Sequence, residues 1–202
     1  MKHEQHQLTT PYFESKNNFE SISNIVTMGP FGTDAQYMAS KICSQVELSS
    51  TFDEAMKVAY NKNMHALIPC GYVSRDQNDN VNDNWVDLHF RWSSKMQIVA
   101  VWPSKTKEMA LAVRGDIQDA SDIKIVAIHP ATQTLVSRMC KPDKFVYCTS
   151  KPEAFDLLVA GRVDACLASR QMVATNSMLQ EIATVNPVMV WALYFRVRHE
   201  CE

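Results

Sequence analysis

The sequence lacks the features that would assign it at once to several large classes. No stretch approaches the ~20 consecutive apolar residues that cross a bilayer as a helix. The first twenty residues carry His, Gln, Asn and Glu with no apolar h-region, so they do not read as a secretory signal, and a cytoplasmic protein without a membrane partner is expected. A formal net charge of -2 leaves no basic excess with which to hold nucleic acid non-specifically. None of the six cysteines (Cys43, Cys70, Cys140, Cys148, Cys166, Cys201) forms a C-x-x-C pair, and most sit in apolar surroundings as reduced core residues would. A nucleophilic role is open at Cys70, which falls in an expected loop. Walker A and G-x-S-x-G sequences are absent, and His3, His6, His65, His89, His129 and His199 show no metal-ligand spacing.

What is present begins with length. A chain of 202 residues with 46% hydrophobic content can bury a proper core, as one domain or two small lobes. The stretch Val26-Thr27-Met28-Gly29-Pro30-Phe31-Gly32-Thr33 organises the first part. Ile25 to Met28 reads as a buried strand, Gly29 to Gly32 breaks it, and Thr33 is placed to cap a helix with Tyr37, Met38 and Ile42 at helical spacing. A strand, a glycine turn and a helix N-terminus leave backbone N–H groups pointing outward, which makes a local anion site. The same residues fit an ordinary strand-to-helix turn, and both readings stand at this point.

The grammar then repeats along the chain. Val46 to Leu48 is a short strand, and Thr51-Phe52-Asp53-Glu54 has the form of a capping box before a helix with Phe52, Ala55, Met56 and Ala59 on one face. Met64 to Ile68 is a buried strand closed by Pro69. An Asp- and Asn-rich loop is expected from Ser74 to Asn84, and a β-like region from Trp85 to Trp102, with Met96 to Trp102 its clearest strand. Pro103 to Lys107 is the expected crossing into a second lobe. Met109 to Val113 and Ile123 to Ile128 are strands, followed by His129-Pro130 and a helix through Leu135, Val136 and Met139. Val146-Tyr147 leads to Ser150 and Glu153, again in capping-box spacing, with Ala154, Phe155 and Leu158 buried and a strand from Val163 to Ala168. Pro187 to Val197 is apolar and strand-like, and is read as returning to the first lobe. The expectation is an α/β chain with a tail at 1–22, a first lobe at 23–104 plus 187–202, and a second lobe at 105–186. Capped helix N-termini facing the cleft between the lobes would hold an anionic small molecule.

Gly29-Pro30-Phe31-Gly32-Thr33 resembles the G-P-x-G-T opening of the prephenate dehydratase catalytic domain. Thr51 to Ala55, Ala66-Leu67-Ile68-Pro69, Ile128-His129-Pro130 and Thr149-Ser150 resemble further segments of that family, in the right order over about residues 24–196. The resemblance implies a two-lobed, periplasmic-binding-protein-like fold with a cleft between the lobes. Two departures stand out. Dehydratases carry E-N-S where this chain has Cys70-Gly71-Tyr72, and N-x-T-R-F where it has Trp191 at the threonine position. The sequence also ends where many dehydratases continue into a regulatory ACT domain. With Tyr37, His89-Phe90, Leu111-Ala112-Val113-Arg114 and Trp191, these features are similar to the prephenate decarboxylases of bacilysin-, aeruginosin- and salinosporamide-type biosynthesis.

That resemblance implies an enzyme that converts prephenate to a dihydro-4-hydroxyphenylpyruvate and CO2 without aromatisation, with no metal or organic cofactor. A homodimer is compatible with it. Such a reaction needs a clamp for the pyruvyl carboxylate, a poorly solvating wall around the departing carboxylate, and a proton for a ring carbon. Thr149 and Ser150 suit the clamp; Thr33 with Gly29, Pro30, Phe31 and Gly32 suits a second anion contact; Trp191 suits the wall. His89 and Tyr37 are the candidate proton donors, with solvent their rival. Cys70, Arg91, Arg114 and His129 complete the expected substrate-binding set, although Arg114 also fits a solvated strand end and His129 a turn-forming role. A prephenate or arogenate dehydratase and a non-catalytic carboxylate-binding protein are the alternatives.

Overall fold

The computed structural model describes residues 19–76, 78–117 and 119–197. The expectations for residues 1–18, including His3 and His6, and for His199 and Cys201 lie outside the described residues. Phe19–Ser21 forms a 3-10 turn, and Phe19 packs on Trp102 with ring centroids 5.0 Å apart.

Strand β1 (Asn24–Met28) buries Ile25 and Val26 completely. The chain turns at Gly29 and Pro30 into α1 (Asp34–Ile42), then forms β2 (Gln45–Ser49), α2 (Phe52–Lys62) and β3 (His65–Pro69). A hairpin of β4 (Val73–Arg75) and β5 (Val81–Asn84) leads into α3 (Trp85–Trp92) and the long β6 (Met96–Lys105). Beyond the crossing come β7 (Met109–Arg114), β8 (Ile125–Ile128), a 3-10 turn at Pro130–Thr132, α4 (Gln133–Val136), β9 (Lys144–Tyr147) and α5 (Lys151–Val159). β10 (Ala165–Ser169), α6 (Arg170–Ala174), β11 (Leu179–Val185) and β12 (Val188–Arg196) complete the described chain.

Ten of the twelve described strands form two five-stranded sheets, one lobe each, in the orders β2-β1-β3-β12-β6 and β11-β7-β10-β8-β9, and β4 and β5 pair only with each other. In the first, β1 is parallel to β2 and β3, while β12 runs antiparallel between β3 and β6. The chain therefore passes between sheets twice, from β6 to β7 and from β11 back to β12. Each sheet has its own apolar core: Ile25, Met56, Leu67, Ile68 and Leu193 in the first, Leu111, Val126, Ile128 and Leu167 in the second. No helix among the described residues is long and apolar enough to cross a membrane.

Hydroxyl caps start three of the helices. Thr33 Oγ1 accepts the Gln36 N–H at 3.2 Å, Thr51 Oγ1 that of Glu54 at 3.0 Å, and Ser150 Oγ that of Glu153 at 3.3 Å. Glu153 reaches back one residue beyond the cap, where its carboxylate takes the Thr149 N–H at 2.7 Å.

The structure corrects the expectation of β structure over Trp85 to Trp92, whereas the expected strand from Met96 to Trp102 lies within β6. Asn84 Oδ1 accepts the N–H groups of Val86 and Asp87 at 2.9 and 3.0 Å, which starts a helix there. Trp85, Leu88 and Trp92 then fall on one face, and Leu88 and Trp92 are buried in the first core. The aromatic content that favours strands is outweighed by this cap and this spacing. The expected loop from Ser74 to Asn84 is a hairpin, its turn held by Asp76 Oδ1 accepting from Asn78 and Asn80 at 2.8 and 2.9 Å. The expected helix through Met139 ends at Val136, and α6 and β11 had no counterpart in the sequence reading. Replacing Asn84 by Ala is expected to lower the unfolding free energy by about 1 kcal/mol, and Asn84→Ser, which keeps a capping oxygen without setting a second carboxylate against Asp87, to preserve most of it, in urea titrations followed by circular dichroism.

Candidate functional site

A cavity of about 110 Å³ lies between the lobes, comparable with the roughly 150 Å³ apolar cavities that accept a benzene ring. Its lining comes from the ends of strands and the starts of helices. Met28 ends β1, Pro69 ends β3, His129 follows β8, and Thr149, Ser150 and Lys151 lead into α5. Thr33, Asp34 and Ala35 open α1, and Phe52 opens α2. First-turn N–H groups have no intrahelical acceptor, so three positive helix ends converge on the cavity.

One wall is apolar. Trp191, 1% exposed, sits in register with Pro69 of β3 on one side and Trp102 of β6 on the other. Its Nε1–H is buried with no hydrogen-bond partner among the described residues. Gly71 lines the same wall, and a Cβ there would fall 2.8 Å from Met189 Sδ and 2.9 Å from its Cε. Met189 thus fills the space that a side chain at position 71 would need.

The opposite rim is polar and joins the lobes. The Lys151 ammonium, from α5, is ion-paired with Asp34 Oδ2 of α1, and the two side chains are 13% and 19% exposed. Asp34 Oδ1 also accepts the Lys107 N–H at 3.0 Å, and Lys107 Nζ donates to the Gly32 carbonyl at 3.1 Å. The hairpin adds a second link, since β4 packs on the 3-10 turn Pro130–Thr132. Burial and the nearby Asp79 carboxylate push the Tyr147 hydroxyl up to about 12.

His129 Nδ1 accepts the Ala131 N–H at 3.2 Å, which leaves the ring proton on Nε2. Burial, helped by the charge on Lys151, lowers its pKa to about 4, so the ring is neutral over the physiological range. It can donate a hydrogen bond but carries no charge.

Of the residues singled out in the sequence, the structure gathers Thr33, His129, Thr149, Ser150 and Trp191 around the cavity. The others lie outside it. Phe31 is 79% exposed and Pro30 is also at the surface, while Gly29 packs beneath Leu48 and Gly32 holds a φ of 91° with its carbonyl turned to Lys107. Tyr37 faces a separate depression with Lys107 and Arg170, its ring under the Lys41 ammonium at 4.3 Å. His89 lies on α3, stacked on Trp85 and 3.2 Å from the Tyr194 hydroxyl through Nδ1. Arg91 is held by Asp53 and Asp83 at 2.9 and 3.0 Å, and Arg114 donates to the Val163 carbonyl at 2.9 Å beside Asp116. Cys70 packs on the first core, and burial raises the pKa of its thiol. Asp34 and Lys151 were missed. Their signal was position, since each follows a capping residue and Lys151 puts a cation at a positive helix end. Among the described residues, no group of three or more His, Cys, Asp or Glu side chains is placed to hold a metal ion.

No family model and no curated protein matches the sequence. Solved structures do match the fold. A prephenate dehydratase from Arthrobacter aurescens in complex with L-Phe superposes with a TM-score of 0.60 at 16% identity, over 89% of this chain and 61% of that one. The fold is prephenate dehydratase-like. GqqA, described as a quorum quenching acylase, matches with a TM-score of 0.51 at 15% identity, over 89% of this chain and 66% of that one. The VFT2 domain of BvgS from Bordetella pertussis matches at 0.52 and 13% identity, over 87% and 80% of the two chains. This chain thus spans less than two thirds of the length of the dehydratase and acylase structures.

The neutral state of His129 has a consequence for stability. Its folded pKa of about 4 lies below the ordinary value near 6.5, so between the two the unfolded chain takes up a proton that the folded one refuses. The contribution is therefore whole above pH 6.5 and is lost as pH falls toward 4. With allowance for the part of the ring that reaches the cavity, the loss is expected to be about 2 kcal/mol. Urea unfolding at pH 7 and pH 4.5 should show this decline in the wild type and a smaller one in His129→Gln.

Proposed function

We propose that the cleft binds prephenate and decarboxylates it without aromatisation, giving a dihydro-4-hydroxyphenylpyruvate and CO2 for secondary-metabolite synthesis in the cytoplasm. The observation that carries this reading is the apolar wall of Trp191, Met189 and Gly71. Dehydration must expel hydroxide from the ring, which calls for polar, proton-giving groups beside the leaving oxygen. Here the positions that resemble the dehydratase asparagine and threonine hold Gly71, overlain by Met189, and Trp191.

Loss of a carboxylate makes the opposite demand. Its charge disperses as CO2 departs, so a wall that solvates it poorly raises the ground state more than the transition state. The pyruvyl carboxylate is assigned to the start of α5. Pro152 has no N–H and that of Glu153 is taken by Ser150, so the N–H groups of Ser150 and Lys151 are the ones left for a ligand. The neutral His129 Nε2–H is a further donor at that end, and the six-membered ring of the substrate is assigned to the space lined by Phe52 and Met189. The helix end at Thr33 to Ala35 faces the same space and is the second anion contact.

Incubation with prephenate should release CO2 in step with substrate loss and give no phenylpyruvate, before or after mild alkali. Phenylpyruvate as the main product would restore a dehydratase, and binding without turnover a carboxylate-binding protein. Trp191→Phe keeps an apolar wall and removes only an N–H with no described partner, so its turnover should stay within about threefold of wild type. A hundredfold fall would make the indole N–H, rather than the wall, the operative feature.

A further inference from the structure

We propose that Lys151 is the general acid of the cleft, its ammonium giving the proton that a ring carbon accepts as the carboxylate leaves, with Asp34 fixing its position. This rests on the decarboxylase reading of the same site. The step balances as follows. The bond from the ring to the departing carboxylate breaks, and its electron pair becomes a new ring double bond. The pair of the adjoining ring double bond moves to the carbon beside the carbinol carbon and takes the proton. The hydroxyl stays, CO2 departs, and the neutral amine recovers its proton from water.

Four described residues with titratable side chains line the cavity: Asp34, Tyr72, His129 and Lys151. Asp34 accepts from Lys151 through Oδ2 and from the Lys107 N–H through Oδ1, so both of its oxygens are engaged as acceptors. The Tyr72 hydroxyl is directed to Asp83 at 3.3 Å, and burial beside that carboxylate makes it a weaker acid than usual. His129 is a neutral imidazole whose Nε2–H is no acid near pH 7. Lys151 is the remaining one, and its three ammonium hydrogens exceed what one carboxylate oxygen can use.

Its location fits this role better than a purely structural one. A cation at the first position of a helix opposes the helix dipole, so α5 itself gains nothing from it. The side chain is 13% exposed, which limits competing delivery of protons by water. Pairing with Asp34 sets the ammonium at the junction of the two lobes, where both contribute to the cavity wall.

The rival role is that of an ion-pair latch without chemistry, and Arg separates the two. Lys151→Arg keeps the charge and can still reach Asp34, but a guanidinium does not release its proton in the working range. For a general acid, kcat on prephenate should fall by about 100-fold or more while KM changes by less than about threefold. Lys151→Ala should be slower still and should recover turnover on addition of ethylamine. Wild-type CO2 release, measured alongside, tests the underlying reading. If the wild type releases none, the decarboxylase assignment and this proposal fall together. If the wild type is active and Lys151→Arg keeps kcat within threefold, Lys151 is a latch and the proposal alone is overturned. Should Lys151→Arg lose its circular-dichroism melting transition, Lys151→Ala decides: recovery with ethylamine supports the assignment, and no recovery by the folded variant overturns it.

Discussion

β12 enters the first sheet antiparallel between β3 and β6, and each wall of the cleft refers back to that pairing. Without it β3 would be an open edge at Pro69, and neither Trp191 nor Met189 would stand beside Gly71. The strand is held by what it buries. Trp191, Ala192, Leu193 and Tyr194 are all 1% exposed or less, so four consecutive residues leave water on the two faces of the sheet at once. At roughly 25 cal/mol per Å² of apolar area, this is among the larger single contributions to the first lobe. The return also makes a second connection between the lobes, antiparallel to the first in the sense that the chain leaves by β6 and comes back by β12. The two connections run side by side, where Val188 pairs with Lys105 and the Thr106 N–H donates to the Pro187 carbonyl at 3.0 Å.

Those contacts are charged where the cleft floor is not. The Asp34–Lys151 pair is largely out of water, where removing one partner and stranding the other typically costs about 3–5 kcal/mol. Asp34 suits its own helix, because an acidic residue in the first turn of α1 complements the dipole. Lys151 does not suit α5, so the pair joins a favourable placement on one lobe to an unfavourable one on the other. The pair brings the starts of α1 and α5 together across the cavity, and the hairpin adds a second contact between the lobes where β4 packs on the 3-10 turn Pro130–Thr132.

Much of the fold was readable because the strongest local signals agree with the tertiary structure. The caps at Thr33, Thr51 and Ser150 start helices where spacing placed them, and the apolar runs ending at Met28, Pro69 and Ile128 are buried strands. Trp85 to Trp92 was misread because its aromatic and β-branched content favours a strand locally, while the deciding facts, an Asn84 cap and burial of Leu88 and Trp92, are tertiary or a single side chain wide. For the cavity, residues belonging to helix starts were legible, since a cap marks both a structure and a place. Tyr37 and His89 enter through the decarboxylase resemblance and their capacity to donate a proton, and the side-chain direction that carries them away from the cavity depends on the phase of α1 and α3 against their sheet. Asp34 and Lys151 lie 117 residues apart, and no local pattern announces a pair at that separation.

For the proposed substrate, the balance of charge in the cleft favours turnover over tight holding. Prephenate brings two carboxylates, whereas the lining offers one cation, already matched by Asp34, together with helix ends and a neutral imidazole. Two strong cationic clamps would stabilise the bound dianion as much as the transition state, which lowers KM without lowering the barrier. In the proposed pose, one carboxylate held by N–H groups and the other set against Trp191 would distinguish the two states, because the ground state would keep a poorly solvated charge that disperses along the coordinate of CO2 loss. In the proposed reaction the apolar wall would raise the ground state of the departing carboxylate and give the retained hydroxyl no hydrogen-bond partner on that face, so the outcome would turn on whether the Lys151 proton goes to carbon or to that oxygen.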